Sequence, residues 1–545
     1  MPTLAVAGVQ VITLVFLFLT INTAKPATGR YFVGDENFHM SKNDNIIVFI
    51  LDAYDTTIFQ SQLANKTKHV TELKDFVYYD NNSGIYSTSE GSLPFMMTGV
   101  KTYNEEPYKE YKQKVYVDSE LFPFFAKNGY DVTLYSDRRY LPNDPPAVID
   151  NIKEMEVAVK SKFKLTAYFY SFTLYRYAPQ PLKPLFERYY DSIFSRQIKP
   201  AADEKHLVYS NANLNFYKML KNDSLWSLSD VNKYKFYYIH GAHMPYLTDE
   251  NLKEVGDSTA EKQAEGVLKL VGEYLNKLKE MGIYDSSTII LTADHGVRGV
   301  GMRHRPVLLI KQAGSTHDEM VIDSRPVSME DFPQALMKAA NKEEELFPTR
   351  EERHYYYMVA QLSGGYYNDI YEYAISSDVS DIKKTGRVFG KDGLRIEPIK
   401  AFEISKPYKF TLSAETYDFF EYGIFSKNEP DVKDYGYLSE ASIMRFSLPE
   451  GYDNGKGVKI TINYKELNGS KQDIIVSSKG EILLEDSYST PDGTISFTVP
   501  PQCIDSDNTI SVLIKCPNAT YGFLAPTTKT QGIYAFKLTE IIFGG

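Results

Sequence analysis

One run of residues near the start of the chain restricts its fold more than any other feature. Residues 45–51 read NIIVFIL, apolar throughout apart from the opening asparagine, and Asp52 follows them directly. A continuous run rich in β-branched residues is typical of a strand that is buried on both faces. Such strands occur in parallel sheets that helices cover on each side. The run therefore predicts a central strand of an α/β domain, with a carboxylate at its carboxyl end.

Further segments alternate between helical and strand-like patterns. Leu121–Asn128 predicts a short helix, and Tyr130–Tyr135 predicts the strand that follows it. Thr259–Met281 carries apolar residues at helical spacing. The other predicted strands are Tyr234–Ile239, Thr288–Leu291 and Pro306–Lys311. This alternation predicts a mainly parallel sheet flanked by helices. Polar residues collect where its strands finish, which is where open α/β sheets place their sites.

The pattern changes after residue 400. Residues 401–545 alternate apolar and polar side chains, for example over Val458–Tyr464 and Ile510–Cys516, and Asn-Gly and Asp-Gly turn signals separate such segments. Alternation with a period of two is typical of antiparallel sheets with one buried face, so this region predicts a C-terminal β-sandwich. Cys516 falls on the apolar phase and is expected to be buried. The sequence does not decide whether Cys503 and Cys516 form a disulfide.

The amino terminus predicts a membrane segment. Leu4–Ile21 is almost wholly apolar, and no charged side chain precedes Lys25. About 20 apolar residues are enough to span a membrane. We expect residues 1–24 to form a transmembrane helix or anchor, and residues 25–44 to link it to a catalytic domain at 45–400. A cleaved signal peptide is an alternative, although the basic region that opens one is missing.

The orientation of this segment is open. Lys25 and Arg30 follow it and nothing basic precedes it, so the positive-inside rule would place the body of a lone-helix protein in the cytoplasm. If the segment is the last span of a longer multi-spanning protein, the charges of the preceding loops set the orientation of the body. An aromatic and basic stretch at Lys160–Arg196 predicts either a helical insertion packed on the domain or a face on the lipid interface.

Composition excludes several classes of protein. Acidic residues outnumber basic ones 71 to 60, which gives a net charge of −11 and argues against a general nucleic-acid binder. The chain has two cysteines. That number excludes a disulfide scaffold and any multi-cysteine zinc or iron–sulfur site.

Three separated segments carry the polar residues that chemistry would need. They are Asp52, the block Ser89–Gly99 and the tripeptide Asp294-His295-Gly296. Two carboxylates and an imidazole that converge at strand ends could hold a divalent cation such as Mn²⁺, Zn²⁺ or Mg²⁺. A hydroxyl beside that cation would lose its proton more readily and become a nucleophile. Singly, a strand-end aspartate is often only a helix cap, which is the role expected of Asp55.

Three histidines complete this constellation. Their side chains could hydrogen-bond the charged oxygens of a transferred group and so stabilise its transition state. They are His240, His243 and His304.

Together these segments resemble the sulfatase-like branch of the alkaline phosphatase superfamily, which includes lipoteichoic acid synthases, phosphoethanolamine transferases and sulfatases. The resemblance runs from about Asn45 to about residue 395. Besides the strand that ends at Asp52 and the Ser-x-x-Ser-x-Pro-x-x-x-Thr-Gly block, it rests on His240-x-x-His243-x-Pro-Tyr and Thr-Ala-Asp294-His295-Gly. It implies an alkaline-phosphatase-like fold, a divalent cation (Mn²⁺, Zn²⁺, Mg²⁺ or Ca²⁺) and a covalent phospho- or sulfo-enzyme.

The resemblance also implies roles for single residues. Ser89 stands nine positions before the Thr-Gly pair, in the nucleophile's place, with Thr88 as the alternative. His243 matches the histidine that meets the substrate. The residues that match the metal ligands are Asp52, Ser89, Asp294 and His295. The further candidates for substrate contact are His240, His304 and Arg303. Arg303 and Arg305, on either side of His304, could either contact an anion or simply be solvated.

The nucleophile region favours phosphate over sulfate esters. Sulfatases of this branch modify a Cys or Ser in a Cys/Ser-x-Pro-x-Arg motif, whereas Ser92-Leu-Pro-Phe-Met96 has methionine in place of the arginine. Ser92 also lies only six residues before Thr98 and so misses the nucleophile's position.

The sequence therefore predicts a membrane-anchored, metal-dependent hydrolase or transferase with an extracytoplasmic catalytic domain. Its substrates would be phosphoglycerol- or phosphoethanolamine-type esters of cell-surface glycans or lipids, and the membrane, not nucleic acid, would be its partner. The alternatives are a sulfatase acting on glycans and an inactive sulfatase-like protein that binds glycan.

Overall fold

The structure is a computed structural model. It describes residues 8–9, 12–13, 15–16, 29–155, 175–183, 206–256, 258–296, 303–358, 362–363, 365–399, 401–404, 409–411, 420–424, 436–449, 454–525 and 530–544. The chain divides into two compact units. The smaller comprises residues 1–37 and 142–209, and the larger comprises residues 38–141 and 210–545.

The smaller unit contains an antiparallel strand pair, Gly29–Phe32 with Ile152–Met155, and a 3-10 turn at Gln180–Leu182. Most of the predicted membrane segment and most of the stretch Lys160–Arg196 lie outside the described residues. In the part of the chain that the structure describes, no helix has both the length and the apolar character that a membrane crossing requires.

Seven strands of the larger unit form its central sheet. Numbered along the chain they are β1 Asn45–Leu51, β2 Val77–Tyr79, β3 Tyr130–Tyr135, β4 Asn232–Ile239, β5 Ser287–Thr292, β6 Leu308–Lys311 and β7 Val321–Asp323. Their order across the sheet is β7-β2-β6-β5-β1-β4-β3. The predicted mainly parallel sheet is confirmed, because β6 alone among these strands runs antiparallel to its neighbours. It follows β5 through a connection without a helix among its described residues, and an antiparallel return needs no crossover.

In the larger unit, seven α-helices occur among the described residues: α1 Thr56–Ala64, α2 Ser89–Thr98, α3 Tyr108–Asp118, α4 Leu121–Lys127, α5 Asn213–Leu220, α6 Ala260–Glu280 and α7 Phe332–Ala340. Asp55 caps α1 as predicted, since its Oδ1 accepts a hydrogen bond from the Thr57 amide at 2.8 Å. Helix α6 agrees with the predicted helical segment and buries the apolar face that defined it.

The carboxyl edge of the central sheet collects the polar residues. All seven residues of β1 are buried between β5 and β4. In parallel strands the carboxyl ends meet at one edge, so the residues that follow β1, β4 and β5 come together there. These residues are Asp52, His240 and the pair Asp294-His295.

A second, antiparallel sheet of four strands follows: β8 Arg353–Met358, β9 Ile370–Ile375, β10 Ile382–Gly390 and β11 Gly393–Ile396, in that order. The short strand pairs are Phe38–Ser41 with Trp226–Ser229, Asn82–Ser83 with Val327–Ser328, Leu362–Ser363 with Tyr366–Tyr367, and Thr520–Ala525 with Thr530–Tyr534. The 3-10 turns are Thr71–Leu73, Asp223–Leu225, Met329–Asp331, Asn454–Lys456 and Pro501–Cys503.

The C-terminal region is a ten-stranded sheet, in which nearly every described pair of strands is antiparallel. Its strands are β12 Phe402–Glu403, β13 Lys409–Thr411, β14 Phe420–Ile424, β15 Tyr437–Ser447, β16 Val458–Lys465, β17 Gln472–Ser478, β18 Glu481–Tyr488, β19 Gly493–Val499, β20 Thr509–Lys515 and β21 Phe536–Gly544. The main path is β18-β17-β20-β15-β21-β16-β19.

This region meets the sandwich prediction in part. The predicted alternation is present, with Val458, Ile460, Ile462 and Tyr464 all buried. The strands nevertheless share one hydrogen-bonded path rather than forming two separate sheets. The reason is the length of β15, which pairs with β21 near its start and with β20 over its second half. Cys503 and Cys516 are both buried free thiols, so the disulfide that the sequence left open is not formed.

A buried ion pair joins the C-terminal sheet to the α/β part of the same unit. Glu440 on β15 accepts a hydrogen bond from Nη1 of Arg305 at 3.3 Å, and both side chains are buried. Burial raises the pKa of Glu440 to about 7, the Arg305 charge opposes this shift, and the nearby Asp55 carboxylate adds to it.

We expect Glu440 to make the folded chain less stable as the pH rises from about 5 to about 8. Because its pKa is raised in the folded state, its stabilising contribution is complete below the ordinary carboxyl pKa and is lost as the pH rises through about 7. Relative to Glu440→Gln, the wild type should lose roughly 2–3 kcal/mol over this range. Thermal midpoints measured at several pH values check this. The exposed Glu485 on β18 supplies the control, Glu485→Gln, and parallel pH profiles for wild type and Glu440→Gln would contradict the prediction.

Candidate active site

A cavity of about 380 Å³ opens at the carboxyl edge of the central sheet. Its walls come from the residues after β1, β3, β4 and β5 and from the start of α2. The predicted site residues that line it are Asp52, Thr88, Ser89, His240, His243, His295 and Arg303. The structure therefore brings together residues that are distant in the sequence.

Asp52, Asp294 and His295 form a buried cluster beneath this cavity, with ligand atoms that all lie within 4.8 Å of one another. His295 Nε2 is 3.8 Å from Asp52 Oδ1 and 3.6 Å from Asp294 Oδ2. Both of these carboxylate oxygens are buried and lack a hydrogen-bond partner among the described residues. A buried charged oxygen without a partner is costly, so the cluster has two ligand positions that the protein itself leaves unused.

The other atoms of the cluster are held in place. Asp52 Oδ2 accepts a hydrogen bond from the Tyr238 hydroxyl. Asp294 Oδ1 accepts from the amides of Ala53 at 3.2 Å and His295 at 3.0 Å. His295 Nδ1 lies 2.8 Å from the Gly296 carbonyl and donates to it. This bond fixes the proton on Nδ1 and leaves the lone pair of Nε2 directed at the carboxylates, which is the arrangement of a metal-binding histidine.

The electrostatics of the cluster favour the binding of a cation. Burial raises the pKa of Asp52 well above its ordinary value, and the neighbouring Asp294 carboxylate raises it further. Burial lowers the pKa of His295, although Asp294 opposes that shift. Neutral imidazole and two close carboxylates are the ligand set of a divalent cation, so the residues present fit one.

Ser89 is the first residue of α2, and the residue is 6% exposed. Its Oγ lies 3.3 Å from His295 Nε2, which places the hydroxyl directly beside the cluster. The partial positive charge at a helix start also favours an anion there. The Thr88 hydroxyl instead contacts the sulfur of Met358 at 3.8 Å.

Ser92 is placed differently from Ser89. It is fully buried, and its Oγ donates to the Tyr86 carbonyl at 3.2 Å. Met96, which stands where a sulfatase of this branch has arginine, is buried as well. Neither residue lines the cavity. The segment that resembles part of the sulfatase motif therefore packs in the protein interior instead of facing a substrate.

Residues 240–246 form the loop that follows β4, called here the histidine loop. Gly241 lets this loop approach β1. Its φ is +63°, and a Cβ at this position would lie 2.4 Å from the Asp52 amide nitrogen. Asn213 fixes the glycine through two hydrogen bonds of 2.9 Å to its amide and carbonyl. His240 and His243 are thereby held at the cavity, with ring centroids 5.7 Å apart. Burial lowers the pKa of His240, and the His243 charge lowers it further.

Sequence reasoning missed several residues of the cavity wall, among them Arg139, Tyr140 and Tyr238. Arg139 could have been found, because it lies in the segment that follows the end of β3, at the edge of the sheet where Asp52 follows β1. Tyr238 lies inside β4, and nothing in the local pattern separates its hydroxyl from those of the neighbouring tyrosines. Its contact with Asp52 is a product of the sheet pairing.

His304 is not brought to this cavity. It is buried, and its Nε2 donates to the Val379 carbonyl at 2.8 Å. Burial lowers its pKa to about 3, so it stays neutral. Arg305 faces the C-terminal sheet through its ion pair with Glu440. Arg303, unlike His304 and Arg305, lines the cavity, and its Nη1 lies 3.5 Å from the Ser87 carbonyl oxygen.

Comparisons with known proteins find similarity at the level of structure. No protein-family profile matches the chain, and no curated protein matches it. The solved structures that match include a phosphonate monoester hydrolase from Silicibacter pomeroyi, with 13% identity, 64% of this chain and 89% of that chain covered, and a TM-score of 0.33.

Two further matches are of the same kind. A lipoteichoic acid synthase from Listeria monocytogenes is 12% identical, with 68% of this chain and 91% of that chain covered and a TM-score of 0.33. A sulfatase from Pseudoalteromonas sp. is 10% identical, with 64% and 84% covered and a TM-score of 0.34. The lipoteichoic acid synthase and the sulfatase are of protein classes that the sequence motifs resemble.

Proposed function

We propose that this chain is a metal-dependent hydrolase or transferase of phosphate esters that works through a covalent intermediate on Ser89. One observation carries the proposal. The Ser89 hydroxyl lies 3.3 Å from His295 Nε2, next to two buried carboxylate oxygens that have no partner among the described residues. A lone serine in a cavity has no means of activation, whereas a hydroxyl beside a cation-binding cluster has one.

The cation would be held by Asp52 Oδ1, Asp294 Oδ2 and His295 Nε2, with Ser89 beside them. When bound, a divalent cation lowers the pKa of an adjacent hydroxyl and withdraws charge from phosphoryl oxygens. A ligand set that includes imidazole suits Mn²⁺ or Zn²⁺ better than Ca²⁺, which takes oxygen ligands.

The residues of the cavity divide the reaction between them. Ser89 Oγ attacks phosphorus, and the bond from phosphorus to the ester alcohol breaks. His243, which lines the same cavity, would take up the proton that Ser89 loses and pass it to the leaving alcohol. Water or a second alcohol then attacks the phosphoserine and gives its proton to His243, the Ser89 Oγ–phosphorus bond breaks, and Ser89 recovers a proton from His243. Arg139 and Arg303 line the same cavity and would compensate charge on the phosphoryl oxygens.

The placement of Ser92 and Met96 favours phosphate over sulfate esters, since a sulfatase of this branch would need a modifiable Cys or Ser and an arginine at these two positions, facing the cavity. Phosphoglycerol- or phosphoethanolamine-type esters of glycans or lipids are the proposed substrates. We also propose that the apolar segment Leu4–Ile21 anchors the enzyme in a membrane, within reach of lipid-linked esters, and that the catalytic domain is extracytoplasmic, the side on which cell-surface glycans and lipids lie.

A substrate panel tests the proposal. The full-length chain, purified in detergent and dialysed against EDTA, is assayed with p-nitrophenyl esters: a phosphodiester, a phosphomonoester and a sulfate, each with and without Mn²⁺ or Zn²⁺. We expect phosphodiester cleavage that increases at least tenfold with metal. Preferential sulfate cleavage would favour the sulfatase alternative instead. Binding of glycans without any cleavage would favour the non-enzymatic alternative.

A further inference from the structure

Tyr140 is a cavity residue whose hydroxyl meets the proposed nucleophile. It lies in the segment that follows β3, it lines the cavity, and the residue is 3% exposed. Its hydroxyl interacts with the Ser89 side chain through a hydrogen bond. Ser89 Oγ also lies 3.3 Å from His295 Nε2, which carries a lone pair and accepts. The Ser89 hydroxyl therefore donates to His295, and its oxygen accepts from Tyr140.

The side chain and the backbone of Tyr140 are both held in place. The ring packs edge-on against that of Tyr238, with centroids 5.5 Å apart, and the guanidinium carbon of Arg139 lies 5.2 Å from the ring centroid. The Tyr116 hydroxyl donates to the Tyr140 carbonyl at 3.1 Å. Lys112 Nζ donates to the Arg139 carbonyl at 2.8 Å. A donor fixed in this way needs no rearrangement when charge develops beside it, which is the property of groups that stabilise a transition state.

The Tyr140 hydroxyl keeps its proton in this setting. Burial raises its pKa, and the carboxylates of Glu90 and Asp52 raise it further. The Arg139 charge and the Ser89 hydrogen bond oppose this shift without reversing it. A phenol that keeps its proton donates a hydrogen bond and does not serve as the base that deprotonates Ser89.

The contact with Ser89 determines what this hydroxyl meets during the reaction. When Ser89 Oγ bonds to phosphorus, the other phosphoryl oxygens come to lie beside the groups that contact Oγ. In phosphoryl transfer, negative charge is spread over these oxygens in the transition state. Before that bond forms the oxygens are farther from Tyr140, so the hydrogen bond lowers the barrier more than it tightens substrate binding.

We propose that Tyr140 is a catalytic residue of this site, whose hydroxyl donates a hydrogen bond to a non-bridging oxygen of the phosphoryl group during its transfer to and from Ser89. The inference rests on the proposed function and adds a neutral donor to the cation and the two arginines. The proton stays on Tyr140 throughout, so no bond of this residue forms or breaks. A tyrosine with only a structural role would act through its ring.

Tyr140→Phe tests this contact, because it removes the hydroxyl and keeps the ring. With the full-length metal-loaded chain and the p-nitrophenyl phosphodiester, we expect kcat to fall about 10²-fold, while KM changes by less than about threefold. Calorimetry supplies a readout that does not depend on turnover. Orthovanadate, an analogue of the five-coordinate transition state, should bind the variant at least about tenfold more weakly. The Kd for Mn²⁺ should equal that of the wild type.

Tyr116→Phe is the matched control. It also removes a buried tyrosine hydroxyl, one that holds the Tyr140 carbonyl and lies outside the cavity. We expect a lower melting temperature and a kcat within a few-fold of the wild type. An unchanged kcat in Tyr140→Phe, a change confined to KM, or an equal loss of kcat in Tyr116→Phe would overturn the role of Tyr140 and leave the proposed function intact. If the wild type cleaves no ester with any metal, the proposed function fails and this role fails with it.

Discussion

Replacing Ser89 by alanine is expected to reduce phosphodiester turnover by roughly 10³-fold or more, because removal of a nucleophile eliminates the covalent route altogether. The substitution removes one oxygen and leaves the start of α2 intact, since Thr88 and not Ser89 is the residue that precedes the helix. We therefore expect a folded protein with an unchanged melting temperature. Steady-state kinetics on the p-nitrophenyl phosphodiester, with metal present, measure the effect.

Ser92→Ala is the matched control. It removes the same atom three residues later, from a hydroxyl that donates to the Tyr86 carbonyl and lies outside the cavity. We expect turnover within a few-fold of the wild type and a loss of stability of about 1 kcal/mol. Mass spectrometry of acid-quenched wild type should also find a phosphate adduct on the peptide that contains Ser89. Loss of turnover in Thr88→Ala together with full activity in Ser89→Ala would assign the nucleophile to Thr88.

Asp294→Asn is expected to separate metal binding from stability. In the wild type, Mn²⁺ or Zn²⁺ at about a hundred times its Kd should stabilise the fold by about 2.7 kcal/mol. The variant should lose most of this response and at least 10²-fold in turnover. Without metal it should melt no lower than the wild type, because it relieves the repulsion that raises the pKa of Asp52.

Asp75→Asn is the control for this variant. Asp75 is also buried, accepts from the Tyr284 hydroxyl at 2.9 Å and lies outside the cavity. We expect it to lose stability and to keep the full response to metal. Melting curves in EDTA and in each metal measure both quantities. A wild type whose melting temperature ignores all of these metals, or an Asp294→Asn variant that keeps the shift, would remove the cation from the proposal.

Local pattern was enough to predict much of this protein. The run at residues 45–51 predicted β1 and its burial, because a strand covered on both faces has no polar side. The same pattern placed Asp52 at the carboxyl edge of the sheet, and it placed Asp294 and His295 at the end of β5. These positions follow from strand ends alone, since parallel strands finish at a common edge.

Other features depend on contacts that no local pattern records. Which hydroxyl faces the cluster was decided by the packing of α2: Ser89 meets His295, whereas Thr88 contacts Met358 and Ser92 bonds to Tyr86. His304 was expected to contact the substrate, but its ring is buried against Tyr355. In the C-terminal sheet the alternation predicted which face is buried but not which strands pair at the two ends of β15.

By itself, then, the sequence determined the elements and the edge of the sheet where the chemistry-bearing residues collect, because side-chain periodicity and strand ends are properties of neighbouring residues. The tertiary structure alone decided which side chains line the cavity and that two carboxylate oxygens there have no partner among the described residues. Those outcomes depend on the rotation and approach of elements that are far apart along the chain. They are set by the packing of the whole unit rather than by any one segment.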